Sequence, residues 1–205
     1  FSLLTSKYAS MLACLWMLPL LAEMPMILRL WLTNIPPHAD SFCRLVLLIF
    51  VFDKLTIGFL SAVQAIGRIA AYQVTLGSML ILTLPTGYLL LKHGAPPEAV
   101  LWGAIFLSVL SNIGRIWFVR SLAGLPVAAW FNQVFIRVLL AIMPGTILCG
   151  LLILLFPQGL LRLACIFTAV PLFMIVGAWF LGMSSGERRH VRETFMPTRT
   201  TRPSQ

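Results

Sequence analysis

Two adjacent charges, Asp53 and Lys54, interrupt the apolar run "IFVFDKLTIGFL" at positions 49–60. Ionisable side chains at bilayer depth are costly and face other helices, water or a substrate. On a continuous helix, at about 100° per residue, Thr56 and Gln64 share a face with Asp53. Lys54 lies about 100° round from Asp53, so the two do not share a face. Arg44 is half a turn round from Asp53 and nearer the helix end. Lys54 must then find its own partner, a neighbouring helix or a substrate phosphate.

A second polar set lies further along the chain. Ala104, Ser108, Ser111, Asn112 and Arg115 form one helical stripe, while the rest of that segment is mostly Leu, Ile, Val, Phe and Trp. A small and polar stripe on an oily helix marks the side turned to other helices or to a cavity. Arg115 closes the stripe; its plainer use is to reach the inner head groups. For Asn112 the plainer use is a hydrogen bond between helices.

Groups for catalysis are sparse. His38 and Asp40 form an H-x-D without further carboxylate or His support, His93 is solitary, and His190 lies in the C-terminal tail. Paired carboxylates and a Gly-rich phosphate loop are absent from the sequence, so it supports no enzyme. Cys14, Cys43, Cys149 and Cys165 all lie in apolar runs without a CxxC, and are read as small hydrophobes rather than metal ligands. No cofactor or metal is expected.

The elements that must hold these residues follow from composition. Of 205 residues, 60% are hydrophobic and 10% charged, and mean hydropathy is +0.95. A soluble domain carries roughly 25% charged residues. So much apolar surface needs lipid to cover it, which points to an all-α integral membrane protein. A net charge of +9 could suggest nucleic acid, but the basic residues are spread thinly outside the C-terminus. They read instead as membrane-topology signals, with no nucleic-acid partner.

A spanning helix needs about 20 mostly apolar residues. Six candidates are predicted: 3–22, 41–63, 72–91, 99–119, 138–156 and 160–183. The first is the weakest, with a short apolar part. Breaks such as "TNIPPHAD", "KHGAPPEA" and "FPQG" carry the Pro and Gly of helix ends. Pro85, Pro144 and Pro171 fall inside predicted helices and invite kinks. "PVAAWFNQVFIR", 126–137, reads as an amphipathic interfacial lead-in to the fifth helix. The domain reading is a transmembrane lobe over 1–185 and a basic tail over 186–205.

With the N-terminus inside, Lys7, Arg68, Arg115, Arg120, Arg137 and the tail arginines collect on the inner side. Arg29, Arg44, Lys92 and Arg162 collect on the outer side, so both ends are expected in the cytoplasm. The tail reads as an ordinary positive-inside stop signal, with contact to anionic head groups of the membrane lipids as the alternative. The chain opens at Phe1 without a signal-peptide pattern, which suggests that an N-terminal part is missing.

Several stretches carry a resemblance: "LRLWLTNIPPHADSFCRLVLL", "SAVQAIGRIAAYQ", "TLPTGYLLLKHGAPPEAV" and "FLGMSSGERRHV". Over about residues 1–195 the chain resembles bacterial polysaccharide flippases. These are O-antigen-type, lipid-linked oligosaccharide transporters of the MATE-like multidrug/oligosaccharidyl-lipid/polysaccharide superfamily. The resemblance implies the C-terminal six-helix lobe of a two-lobed transporter, its missing partner being the N-terminal lobe. It implies a substrate of undecaprenyl-pyrophosphate-linked sugar, flipped across the bacterial inner membrane by alternating access. Arg44, Lys54 and Arg115 would then serve the pyrophosphate, with Asp53, Gln64 and Asn112 as further cavity residues. Lys54 departs from the small or polar residue the resemblance leads one to expect there. It either contacts substrate or neutralises Asp53.

Three other readings remain. A cation-coupled exporter of small amphipathic molecules has the same fold. A membrane polysaccharide polymerase or ligase would need large outer loops, and those here are short. A non-transporting scaffold would not need its intramembrane charges.

Overall fold

The computed structural model describes residues 2–67, 69–124 and 126–189. All its elements are helical: α1 (Ser2–Trp31), α2 (Ala39–Lys54), α3 (Gly58–Ile66), α4 (Ile69–Ile81), α5 (Thr83–Lys92), α6 (Glu98–Ala123), α7 (Val127–Trp130), α8 (Ile136–Leu155) and α9 (Leu160–Gly177). Two π-helical turns, Phe131–Phe135 and Ala178–Gly182, precede α8 and extend α9.

Five helices are long and apolar enough to cross a membrane: Ser2–Trp31, Ile69–Lys92, Glu98–Leu122, Val127–Leu155 and Leu160–Gly182. A sixth span results if α2 and α3, bent by 42° at their junction, act together. The chain thus has the helix lengths and polarity of a polytopic membrane protein. Every element among the described residues of the expected membrane lobe, 1–185, is helical, with short non-helical connections between them. The tail is described only to Arg189, where residues 185–189 form a helical turn; His190 and the tail arginines beyond it lie outside the described residues, as does Arg68.

Three expectations are corrected. The weakest predicted span becomes the longest helix, 30 residues, because Glu23 is buried inside it. Pro19 and Pro25 flank Glu23, whose φ of −107° and ψ of 19° mark a kink; a proline withdraws an amide and crowds the preceding turn. The second span is not continuous, since residues 55–57 leave the helix between α2 and α3. The expected interfacial lead-in is instead the first third of one 29-residue span, Val127–Leu155. Val134 there is fully buried, which a surface-lying helix would not require.

Pro85 sits in the first turn of α5, where its missing N–H would have had no helical partner. The helix breaks just upstream, at Leu82. Pro144 and Pro171 lie inside α8 and α9, which pack closely through small residues. A β-carbon at Gly177 would stand 2.5 Å from the carbonyl oxygen of Ala141, so only glycine permits that approach.

The core has two parts. Met11, Cys14, Val138, Ala141, Ile166 and Val170 join α1, α8 and α9. Phe59, Val63, Tyr72, Leu76 and Val119 join α3, α4 and α6. Trp130 packs against both, its ring 6.4 Å from that of Phe59. Outside the core, Leu84, Phe106, Leu154 and many others remain exposed. Such an apolar exterior suits lipid.

Candidate functional site

The break between α2 and α3 organises the polar residues. A helix interrupted at bilayer depth leaves amides and carbonyls that protein must satisfy. Here neighbouring elements do so. The Trp130 indole donates to the Leu55 carbonyl at 3.0 Å, and the Gly58 amide donates to Ser6 Oγ at 3.0 Å. A β-carbon at Gly58 would lie 2.0 Å from the Ser2 carbonyl oxygen, so α3 can start against α1 only with glycine there.

The α6 stripe meets this break. Ser108 Oγ donates to Asp53 Oδ1 at 3.2 Å, and Thr56 Oγ1 donates to Asn112 Oδ1. Asn112 Nδ2 in turn donates to the Ser108 carbonyl at 2.9 Å. Arg115 Nη1 donates to Thr56 Oγ1 at 3.2 Å and lies 3.8 Å from Asp53 Oδ1. The buried Nε of Arg115 and the buried hydroxyl of Ser111 have no hydrogen-bond partner among the described residues.

Two cavities flank the cluster. One, of about 290 Å³, is lined by Asp53, Lys54, Thr56, Tyr72, Gln73 and Arg115, among others. The second, of about 150 Å³, is reached by Asp53, Ser108, Ser111 and Arg115 beside α4 and α5. The Asp53 side chain is 41% exposed and Arg115 18% exposed, so both can meet a ligand. Lys54 Nζ sits 4.1 Å from the Phe50 ring centroid and has no carboxylate in ion-pair range among the described residues. The arrangement can hold an anionic group between a guanidinium and an ammonium, with hydroxyl and amide donors beside them.

Asp53, Lys54, Asn112 and Arg115 are therefore brought together, but Arg44 and Gln64 are not. Arg44 forms an exposed i,i+4 pair with Asp40 at 3.0 Å, at the start of α2. Gln64 is exposed on α3, because the break and bend reset the helical phase that placed it beside Asp53. His38 of the H-x-D takes positive φ and pairs with Glu98 at the start of α6. No group of three or more His, Cys, Asp or Glu among the described residues could hold a metal ion. All four cysteines are free, Cys14 and Cys149 buried in the core.

Two ion pairs escaped the sequence reading. Arg162 Nε lies 2.6 Å from Glu23 Oε1 without hydrogen-bond alignment, and its Nη2 donates to Oε2 at 3.1 Å. Both side chains are buried. Lys7 donates to both carboxylate oxygens of Glu187, at 2.5 and 2.6 Å. By sequence, Lys7 and Arg162 stand only among the topology signals. The available clues were an acid between two prolines in an apolar run, and the capping pattern "SSGE".

No family model, curated protein or solved structure matches the chain.

Proposed function

We propose that the protein is a membrane transporter of the flippase type, moving a lipid-linked oligosaccharide from one leaflet to the other. The observation that carries this reading is the cavity at the α2–α3 break, lined by Arg115, Lys54 and Asp53. Broken helices around a polar site are the usual architecture of secondary transporters. Arg115 keeps an unpartnered Nε there, and Lys54 has no competing carboxylate among the described residues. Both favour a substrate diphosphate, while the lipid tail stays in the bilayer.

The volume is at the lower bound of ligand pockets, about 300–1,000 Å³. It suits a diphosphate rather than a whole oligosaccharide. A second, N-terminal lobe would complete the passage, in keeping with the MATE-like resemblance. The setting would be a bacterial inner membrane, with both ends cytoplasmic and no catalytic step.

A second reading, a cation-coupled exporter of amphipathic molecules, draws on Asp53, a part-exposed carboxylate in the same cavity. One experiment separates them. Arg115→Ala in the full-length protein should abolish surface polysaccharide while the protein still reaches the membrane. Normal polysaccharide with lost drug resistance would overturn the flippase reading.

A further inference from the structure

A third polar cavity, of about 210 Å³, lies at the end of the bundle where α1 begins and the chain leaves α9. It is separate from the α2–α3 break and independent of the transport reading. We infer that this cavity binds the phosphate of an anionic membrane lipid, with Arg137 as the main anchor and Lys7 and Gln133 as further donors.

The charges favour an anion. Lys7 and Arg137 face one carboxylate, Glu187, which leaves the cavity one positive charge in excess. Both oxygens of that carboxylate are already occupied: Lys7 donates to each, and the Ser184 amide donates to Oε2 at 2.7 Å. An incoming phosphate would not meet a free carboxylate. Arg137 has no ion-pair partner among the described residues, although it is half-buried. A guanidinium in that state offers a planar fork suited to phosphate oxygens. Gln133 sits on the π-helical turn, a local distortion often found at functional sites.

The walls favour a lipid over a free ion. Leu3 and Leu4 complete the lining, and Leu4 is exposed beside Tyr8 and Leu12 along α1. Acyl chains can lie along that apolar strip while the headgroup enters the cavity. Basic pockets between transmembrane helices recognise anionic headgroups in this way.

The test uses purified protein in detergent, titrated with dioleoyl phosphatidylglycerol, dioleoyl phosphatidylcholine or inorganic phosphate. Native mass spectrometry counts bound lipid, and thermal unfolding reports stabilisation. Phosphatidylglycerol should bind and stabilise more than phosphatidylcholine. Losing a charge-assisted hydrogen bond in Arg137→Gln should weaken that binding by about tenfold. Arg137→Lys, which keeps the charge but loses the fork, should weaken binding by less than Arg137→Gln, whereas Arg120→Gln, a change at an exposed site on α6, should leave it unchanged. If Arg137→Gln does not fold, Arg137→Lys decides instead: losing the fork should narrow the preference for phosphatidylglycerol over phosphatidylcholine, and an unchanged preference would overturn Arg137 as the anchor. Equal binding of both lipids, or unchanged binding in Arg137→Gln, would overturn the inference. Inorganic phosphate matching the phosphatidylglycerol effect at equal concentration would overturn the lipid assignment.

Discussion

Lys54 and Arg115 hold similar positions by different means. Arg115 is held by Thr56 and, at longer range, by Asp53, so its guanidinium is fixed in direction. Among the described residues, the Lys54 ammonium is held by the Phe50 ring alone, a contact of about 0.5–1 kcal/mol at a part-exposed site. Lys54→Ala should therefore lower transport by more than it lowers stability; equal losses of activity and membrane level would count against a substrate contact. Glu23 and Arg162 behave differently. Removing one member of a buried pair costs about 3–5 kcal/mol, because the other charge is stranded. Glu23→Ala should show that loss in SDS-titration unfolding, whereas Glu23→Leu with Arg162→Met should recover most of it. If the double variant is as unstable as the single one, the pair does more than neutralise itself.

At the level of elements, the gap between α2 and α3 depends on residues from three other helices. Trp130 takes the freed Leu55 carbonyl, Ser6 takes the Gly58 amide, and α6 supplies the polar stripe. Gly58→Ala would press a methyl group into the α1 backbone. Overpacking costs typically about 1–3 kcal/mol, and a contact with backbone leaves little room to relax. The expected result is a sharp fall in folded yield, measured by fluorescence-detected size exclusion; wild-type yield would show that α1 can move away. Much of the helix plan was legible, since five of the six predicted segments fall on the five membrane-length spans, although Leu82 interrupts the third. The α2–α3 break was not, as "LTIG" carries no proline and its hydropathy is that of a helix. Its cause is partners that lie far away in sequence.

On the scale of the molecule, α1 and α9 run antiparallel and are joined near both ends, by Glu23–Arg162 and Lys7–Glu187. The second pair makes stability depend on pH. Burial alone would raise the Glu187 carboxyl. The hydrogen bonds from Lys7 and Ser184 outweigh it and hold the group below its ordinary value of 4.5. A carboxyl depressed by folding adds stability above its unfolded value and loses it as pH falls through the folded one. Wild type should thus lose more thermal stability than Glu187→Gln as pH falls from neutrality to below 4.5. Parallel curves would mean that the pair contributes nothing net.

Composition and hydropathy were enough to establish a helical chain suited to a membrane and to outline its spans. Those properties are local, and each segment's need for apolar cover can be summed residue by residue. The α6 stripe was readable for the same reason, since one unbroken helix keeps its phase. Which charges meet was decided only in three dimensions. Lys7 and Glu187 are 180 residues apart, and Glu23 and Arg162 are 139 apart. Their pairing depends on how the helices pack. The same packing breaks the second span and turns Gln64 away from Asp53, because helical phase does not survive a bend; Arg44, half a turn round from Asp53 on the unbroken α2, pairs with Asp40 instead.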